Sequence, residues 1–187
     1  MRSTVLFVPG LRDYVADHWQ TLLAAEIAGS RTVAPLEHDK LSRAARVMAV
    51  DRALRTIDGP VLLAAHSAGC LMVAHWAQCH DRPISGALLA TPPDIGRPLP
   101  AGYPTPEDLE AGGWLPTPRA RLPFPAVIVG SDNDPLASAQ STAELARAWG
   151  CRFVNAGAVG HLNPAAGYGH WPIAKYLIAE LDAGDAV

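Results

Sequence analysis

The sequence predicts an α/β fold in which a mostly parallel sheet carries helices on both faces, as a three-layer α/β/α sandwich. Two observations carry this prediction. Short apolar runs, of the length of buried strands, alternate with longer segments of helical pattern. Turn residues such as Asp58-Gly59-Pro60 separate the segments, and this βαβα order is typical of parallel sheets.

The composition narrows the possible functions. With 187 residues, of which 49% are hydrophobic and 18% charged, residues 1–187 are expected to form a single domain. The formal net charge of −3 gives no reason to expect nucleic-acid binding. No apolar run approaches the roughly 20 residues that span a bilayer, so we expect no membrane association.

The cysteines and the N-terminus indicate a cytoplasmic protein. Three cysteines, Cys70, Cys79 and Cys151, show no paired spacing, and the first apolar run is too short for a signal peptide. His75 and Cys79 lie four positions apart, as metal ligands on a helix do. Since no second ligand pair accompanies them, we predict no metal site.

The first part of the chain reads as strand, helix, strand and helix. The first strand ends at the turn Pro9-Gly10, and Asp17 is positioned to cap the helix that follows. Helical spacing of apolar residues indicates the second helix. The predicted elements are a strand at residues 3–8, a helix at 18–28, a strand at 32–35 and a helix at 42–57.

A serine lies where the next strand meets the next helix. The apolar run 61–65 predicts a buried strand, and a helix-compatible segment begins at Cys70. Between them, Ser67 is flanked at two positions by the small residues Ala65 and Gly69. This is the G-x-S-x-G nucleophile-elbow pattern with alanine in place of its first glycine. A serine that merely caps an ordinary helix is the alternative interpretation.

The second part of the chain contains a long interruption. Nine of the 17 prolines fall in residues 91–123, so no long regular element is expected there. We interpret this segment as a lid-like insertion, with a rigid surface loop as the alternative. Around it, the predicted elements are strands at residues 84–90, 126–130 and 151–155, a helix at 136–149 and a final helix from Pro172 to residue 181.

The residues after Ser67 supply a base and an acid in the order of a Ser-acid-His triad. Two aspartates, Asp132 and Asp134, follow the strand 126–130, and spacing alone does not choose between them. His161 follows the last strand on a glycine-rich turn and is the predicted base, which would take the serine proton. His170, just beyond, is a second-ranked candidate for that base.

Other residues are assigned around this site. The backbone N–H groups of Ala68 and Leu11 are the predicted oxyanion hole, one after the serine and one after the first strand. His18 and Trp114 are candidate pocket residues. His66 is expected to point away from the site and to pack or hydrogen-bond locally.

Four segments resemble a known family. They are V-P-G-L-R-D with D-H-W-Q near the N-terminus, A-H-S-A-G at the elbow, G-S-D-N-D-P at residues 130–135 and G-H at 160–161. The chain is similar to the small serine hydrolases of the α/β-hydrolase superfamily typified by retinoblastoma-binding protein 9 and the YdeN proteins. The resemblance covers essentially the whole chain and implies an α/β-hydrolase fold with a reduced lid.

The resemblance also implies site residues and an activity. In this family the acid is the aspartate before proline, which corresponds to Asp134, and the histidine corresponds to His161. The implied function is that of a carboxylesterase-like serine hydrolase that cleaves small acyl esters without a cofactor. The alternatives are an aminopeptidase- or amidase-like hydrolase with the same residues, and a non-catalytic protein-interaction module. The expected partner is a small ester or amide substrate.

Overall fold

One sheet of parallel strands runs through the computed structural model, which describes residues 1–184. In chain order its strands are β1 (Thr4–Val8), β2 (Arg31–Thr32), β3 (Val61–His66), β4 (Gly86–Ala90), β5 (Ala126–Gly130) and β6 (Arg152–Asn155). Their spatial order is β2-β1-β3-β4-β5-β6, and each neighbouring pair is parallel. The inner strands β3, β4 and β5 are buried along their whole length, as their continuous apolar sequences predict.

Helices cover both faces of this sheet. They are α1 (Trp19–Glu26), α2 (Arg43–Arg55), α3 (Ala68–Ala77), α4 (Pro106–Ala111), α5 (Ala139–Trp149) and α6 (Pro172–Ala183). Residues of α2, α3 and α5 share one buried cluster with the sheet, and residues of α1 and α6 share the other. The predicted α/β fold with a parallel sheet is thereby confirmed. Within residues 1–184, no helix has the length and apolar character that crossing a membrane requires.

Several element boundaries differ from the prediction. Strand β2 is two residues long and ends before residues 33–35, and α5 starts at Ala139 with Ser138 as its cap. Asp17 does not cap α1. His18 does, because its backbone is extended and its Nδ1 accepts a hydrogen bond of 3.2 Å from the N–H of Gln20.

The sheet order brings two loops together at its carboxyl edge. Strands β1 and β3 are neighbours, and Val8 at the end of β1 pairs with Ala65 near the end of β3. Because the chain leaves β1 toward one side of the sheet and β3 toward the other, a crevice opens between the loops that follow them. The elbow serine, Ser67, and the turn Pro9-Gly10 both lie at this crevice.

The crossing of α3 over the end of β1 requires glycine at position 69. A Cβ atom there would lie 2.2 Å from the carbonyl oxygen of Val8 and 2.9 Å from that of Pro9. Backbone atoms cannot yield as a flexible side chain does. We therefore expect Gly69→Ala to lower the free energy of unfolding by about 3 kcal/mol, measured by urea denaturation.

Gly96→Ala is the control for this prediction. A Cβ atom at residue 96 would meet only the side-chain Oδ1 of Asp94, at 3.4 Å, so its effect should stay within about 0.5 kcal/mol. Equal stabilities of the two variants would contradict the close approach described for Gly69.

The proline-rich segment 91–123 packs against the body of the protein. Its residues Ile95, Leu109 and Trp114 are buried in the core cluster that contains α2 and α3. The indole N–H of Trp114 donates to the carbonyl oxygen of Leu41 at 2.6 Å. Apart from the six-residue helix α4, the segment holds no helix or strand, as its prolines predict.

Candidate active site

Ser67 occupies a strained turn between β3 and α3. Its φ of 56° and ψ of −130° belong to a backbone region that residues other than glycine rarely adopt. This conformation costs on the order of 1–3 kcal/mol. The neighbouring strand β4 holds Ser67 in this conformation, since the backbone N–H of Ser67 donates to the carbonyl oxygen of Ala90 at 2.9 Å. A Cβ atom at Gly10 would lie 3.1 Å from the Cβ of Ser67. The absence of a side chain at Gly10 therefore leaves room for Ser67 at the crevice.

Three side chains from separate loops form one hydrogen-bonded chain. The hydroxyl of Ser67 donates to Nε2 of His161 at 2.9 Å, and Nδ1–H of His161 donates to the carboxylate of Asp134 at 2.9 and 3.0 Å. The side chains of His161 and Asp134 are 5% and 2% exposed. With its Nδ1 proton held by a carboxylate, the imidazole presents the unprotonated Nε2 to the serine.

A set of polar contacts fixes the loop that carries His161. The side-chain oxygen of Asn133 accepts hydrogen bonds from the N–H of Gly160 at 2.6 Å and from the hydroxyl of Ser131 at 3.0 Å. That hydroxyl oxygen in turn accepts from the N–H of Val159 at 3.2 Å. Neither Asn133 nor Ser131 was predicted from the sequence to hold this loop. Their position beside the acid candidates is the one signal that pointed to them.

The other acid and base candidates lie elsewhere. The carboxylate of Asp132 accepts a hydrogen bond of 2.7 Å from the amide of Asn155 and does not contact His161. His170 is 74% exposed, with its Nδ1 3.7 Å from a carboxylate oxygen of Glu26. It does not lie in the wall of the cavity beside Ser67.

His66 lies behind His161 and does not point away from the site, so that expectation was wrong. Its Nε2–H donates to the backbone carbonyl of His161 at 2.8 Å, and the two rings lie 4.9 Å apart. The hydroxyl of Thr91 donates to the same carbonyl at 3.4 Å. Because these partners are 95 and 70 residues from His161, no local pattern could indicate the contacts.

Three buried histidines stay neutral near neutral pH. Burial, with a smaller effect of His161, lowers the pKa of His18 to about 4 and the pKa of His66 well below its usual value. Burial and the nearby Arg43 guanidinium lower the pKa of His75 to about 4. Their neutral rings can pack within the core without a counterion.

These pKa values predict acid sensitivity. An unfolded histidine has a pKa near 6.5, so the unfolded chain binds more protons than the folded protein below that pH. The stability that the neutral histidines contribute is complete above about pH 6.5 and is lost as the pH falls from there toward 4. We expect a loss of about 1 kcal/mol for each of His18 and His75 between pH 7 and 5, measured from urea midpoints.

His75→Gln tests this prediction, with His38→Gln as its control. Removing the buried His75 should flatten the pH dependence, whereas removing the exposed His38 should leave it unchanged. A pH dependence that is identical in both variants would assign the acid sensitivity to other groups.

A cavity of about 330 Å³ opens beside Ser67. Both candidate pocket residues, His18 and Trp114, lie in its wall. The segment 91–123 supplies much of the remaining surface, in which apolar side chains predominate. The apolar lining of the cavity includes Leu11, Val15, Leu41, Leu71, Ile95, Leu99, Leu109 and Leu136. The site can therefore enclose an apolar group against the serine.

Several backbone N–H groups in the cavity wall have no protein acceptor among residues 1–184, and two of them are the predicted oxyanion donors. They belong to Leu11, in the loop after β1, and to Ala68, the first residue of α3. Both residues line the cavity beside Ser67. Unpaired N–H groups, one of them at a helix N-terminus, can bind a negatively charged oxygen.

A buried arginine holds the loop that contains Leu11. Arg46, on α2 and 4% exposed, donates from Nη2 to the carbonyl oxygen of Leu11 at 3.2 Å and from Nε to that of Lys40 at 2.8 Å. Its Nη1 pairs with the carboxylate of Asp13. The role of Arg46 was not predicted from the sequence, although an arginine inside the apolar pattern of α2 is a visible signal.

No cluster of three or more histidine, cysteine, aspartate or glutamate side chains within residues 1–184 is arranged to hold a metal ion. Of the two residues at metal-ligand spacing, His75 is buried and Cys79 is exposed.

Comparison with solved structures identifies related folds. A YdeN-like hydrolase from Pectobacterium atrosepticum is 28% identical, with a TM-score of 0.82, and the alignment covers 97% of this chain and 92% of that protein. The ydeN gene product of B. subtilis is 13% identical with a TM-score of 0.72, over 97% and 99% of the two chains. Est1E from Butyrivibrio proteoclasticus, in complex with ferulic acid, is 14% identical with a TM-score of 0.71, over 97% and 90%.

The last two likenesses, at 13% and 14% identity, are likenesses of fold. No curated protein sequence matches the chain. The model of the serine hydrolase family matches residues 5–180, almost the full length. The resemblance found in the four sequence segments is thereby confirmed: this chain belongs to the serine hydrolase family, within the α/β-hydrolase fold, and is a hydrolytic enzyme.

Proposed function

We propose that the protein hydrolyses small acyl esters through a Ser67-His161-Asp134 triad and an acyl-enzyme intermediate. The observation that carries the proposal is the continuous hydrogen-bonded chain from the Ser67 hydroxyl through His161 to Asp134, with distances of 2.9 to 3.0 Å. A serine hydroxyl is a weak nucleophile until a neutral imidazole accepts its proton, and this arrangement supplies one.

The proposed reaction has two halves. Oγ of Ser67 bonds to the substrate carbonyl carbon while its proton moves to Nε2 of His161. Asp134 stabilises the resulting imidazolium, which then protonates the leaving alcohol as the ester bond breaks. In the second half, water bonds to the acyl carbon while Nε2 of His161 takes its proton. The imidazolium then returns a proton to Oγ of Ser67 as the bond from Oγ to the acyl carbon breaks and the carboxylic acid leaves.

The oxyanion that forms in each half needs hydrogen-bond donors. We assign the backbone N–H groups of Leu11 and Ala68 to this role, because both line the cavity beside Ser67 and lack a protein acceptor. Arg46 supports one of them through its contacts to the loop 10–13. Removing such a donor typically lowers kcat by about 10²–10³-fold.

The cavity supports a substrate with a small acyl group. Its volume of about 330 Å³ is at the lower end of ligand pockets, and its wall is mainly apolar. The lid-like segment 91–123 contributes Ile95, Leu99 and Leu109 to that wall. We propose that this segment, which includes Trp114, sets acyl-group preference together with His18.

Labelling with a fluorophosphonate probe tests the proposed nucleophile. We expect the native protein to gain one adduct, and tandem mass spectrometry to locate it on Ser67, with no adduct on heat-denatured protein. Rapid mixing with p-nitrophenyl acetate should then release a stoichiometric burst of p-nitrophenol if deacylation limits turnover.

Steady-state kinetics with a matched ester and amide distinguish esterase from amidase activity. Matched p-nitrophenyl acetate and p-nitroacetanilide should differ in kcat/KM in favour of the ester. A folded protein that takes up no probe would overturn the proposed nucleophile. Faster cleavage of the anilide would replace the esterase proposal with an amidase.

A further inference from the structure

The cavity beside Ser67 carries an excess of positive charge. Three residues in its wall have charged side chains at neutral pH: Arg12, Asp13 and Lys40. The carboxylate of Asp13 is neutralised by the buried guanidinium of Arg46. Within residues 1–184, neither Arg12 nor Lys40 has a carboxylate within 4 Å. Two uncompensated cations therefore remain in the wall.

This local charge opposes that of the whole protein. The formal net charge is −3, so a general cationic surface does not explain two unpaired cations at the site. The guanidinium of Arg12 lies 5.8 Å from the ring centroid of Tyr103, which also lines the cavity. This cation–π contact joins the loop after β1 to the segment 91–123 and holds the charge at the cavity wall.

The rest of the wall is suited to an apolar body. Leu71, Leu99 and Trp114 line the same cavity. Arg12 and Lys40 are solvent-exposed residues of its wall, so salt in solution weakens their attraction for a charged substrate group. An anion bound here would pair with Arg12 and Lys40, as Asp13 already pairs with Arg46. A neutral ester would leave both cations unpaired.

We propose that Arg12 and Lys40 form an anion-binding subsite, and that the enzyme prefers acyl esters with an apolar body and a carboxylate. This inference rests on the proposed esterase function and adds the charge of its substrate. The carboxylate can belong to the acyl group or to the leaving alcohol, and the substrates below distinguish the two.

Two matched pairs of esters test the proposal. Mono-p-nitrophenyl adipate carries its carboxylate on the acyl group and is compared with its neutral methyl ester. 4-Acetoxybenzoate carries its carboxylate on the leaving group and is compared with methyl 4-acetoxybenzoate. The measured quantity is the ratio of kcat/KM for the anionic ester to that for its neutral partner, because a ratio cancels general effects on catalysis.

We expect a ratio of at least about fivefold for one of the pairs at 0.01 M salt, where the Debye length is about 30 Å. The ratio should fall toward one at 1 M salt, where that length is about 3 Å. Arg12→Gln and Lys40→Gln should each lower this ratio by about two- to fivefold, as expected for charge pairs of exposed side chains. Arg31→Gln is the control, since it removes one charge from exposed Arg31, which does not line the cavity.

Each possible outcome tests a different part of this proposal. Ser67-dependent hydrolysis with a ratio near one for both pairs would overturn the anion subsite and leave the esterase function intact. A high ratio that persists in the Arg12→Gln/Lys40→Gln double variant would overturn its assignment to these residues. An equal loss in Arg31→Gln would assign the preference to overall charge. No Ser67-dependent hydrolysis of any of these esters would overturn the esterase proposal on which the inference rests.

Discussion

Replacing Ser67 with alanine is expected to lower kcat for p-nitrophenyl acetate hydrolysis by at least about 10⁴-fold. The substitution removes the hydroxyl that donates to His161 at 2.9 Å, and no acyl-enzyme can form without that oxygen. The residual rate should come from water bound near the oxyanion donors, since the other members of a triad contribute little once the nucleophile is gone. Steady-state kinetics and the loss of the burst phase measure the effect.

Stability distinguishes this loss from misfolding. The strained backbone at φ 56° is set by the turn, and alanine tolerates it no worse than serine. Ser67→Ala should therefore unfold within about 1 kcal/mol of the wild type. Ser30→Ala, which removes a hydroxyl bonded to the carbonyl of Ala24, should retain full activity. If Ser67→Ala hydrolysed the ester at the wild-type rate, another residue would have to be the nucleophile.

Replacing Asp134 with asparagine is expected to lower kcat by about 10³–10⁴-fold. Both carboxylate oxygens of Asp134 lie within 3.0 Å of Nδ1 of His161. An amide supplies neither the charge that stabilises the imidazolium nor a firm preference for the tautomer with the proton on Nδ1. Steady-state kinetics near neutral pH measure the effect on kcat and KM.

Asp132→Asn is the matched control for this substitution. It makes the same chemical change two residues earlier, on the exposed side chain that accepts a hydrogen bond from Asn155. We expect its kcat to stay within about threefold of the wild type, because it removes no contact to His161. Equal losses in the two variants would show that Asp134 is not the acid.

The sequence determined the layers of the fold. Apolar runs of strand length predicted the buried strands β3, β4 and β5 in place, because strands covered on both faces contain almost no polar residues. The prolines of residues 91–123 excluded long elements there. Boundaries that depend on backbone geometry were less well predicted, as with His18, which caps α1 where Asp17 was expected.

The sequence also ordered the candidate site residues without choosing among them. Chain order placed an aspartate and His161 after Ser67, but two aspartates satisfied the spacing, and the family resemblance pointed to Asp134. In the structure, Asp134 contacts His161 while Asp132 turns to Asn155. Which carboxylate faces the histidine depends on how the chain leaves β5, and composition does not encode that direction.

Only the tertiary structure decided the long-range polar contacts around the site. Arg46 holds the loop 10–13 from 35 residues away, and His66 holds the carbonyl of His161 from 95 residues away. Local sequence patterns indicate whether a segment forms a helix or a strand and which of its side chains are buried, because each element packs one or both faces against a neighbouring layer. Contacts between loops arise from the order in which the strands assemble, so the cations at Arg12 and Lys40 join one cavity wall only in the folded protein.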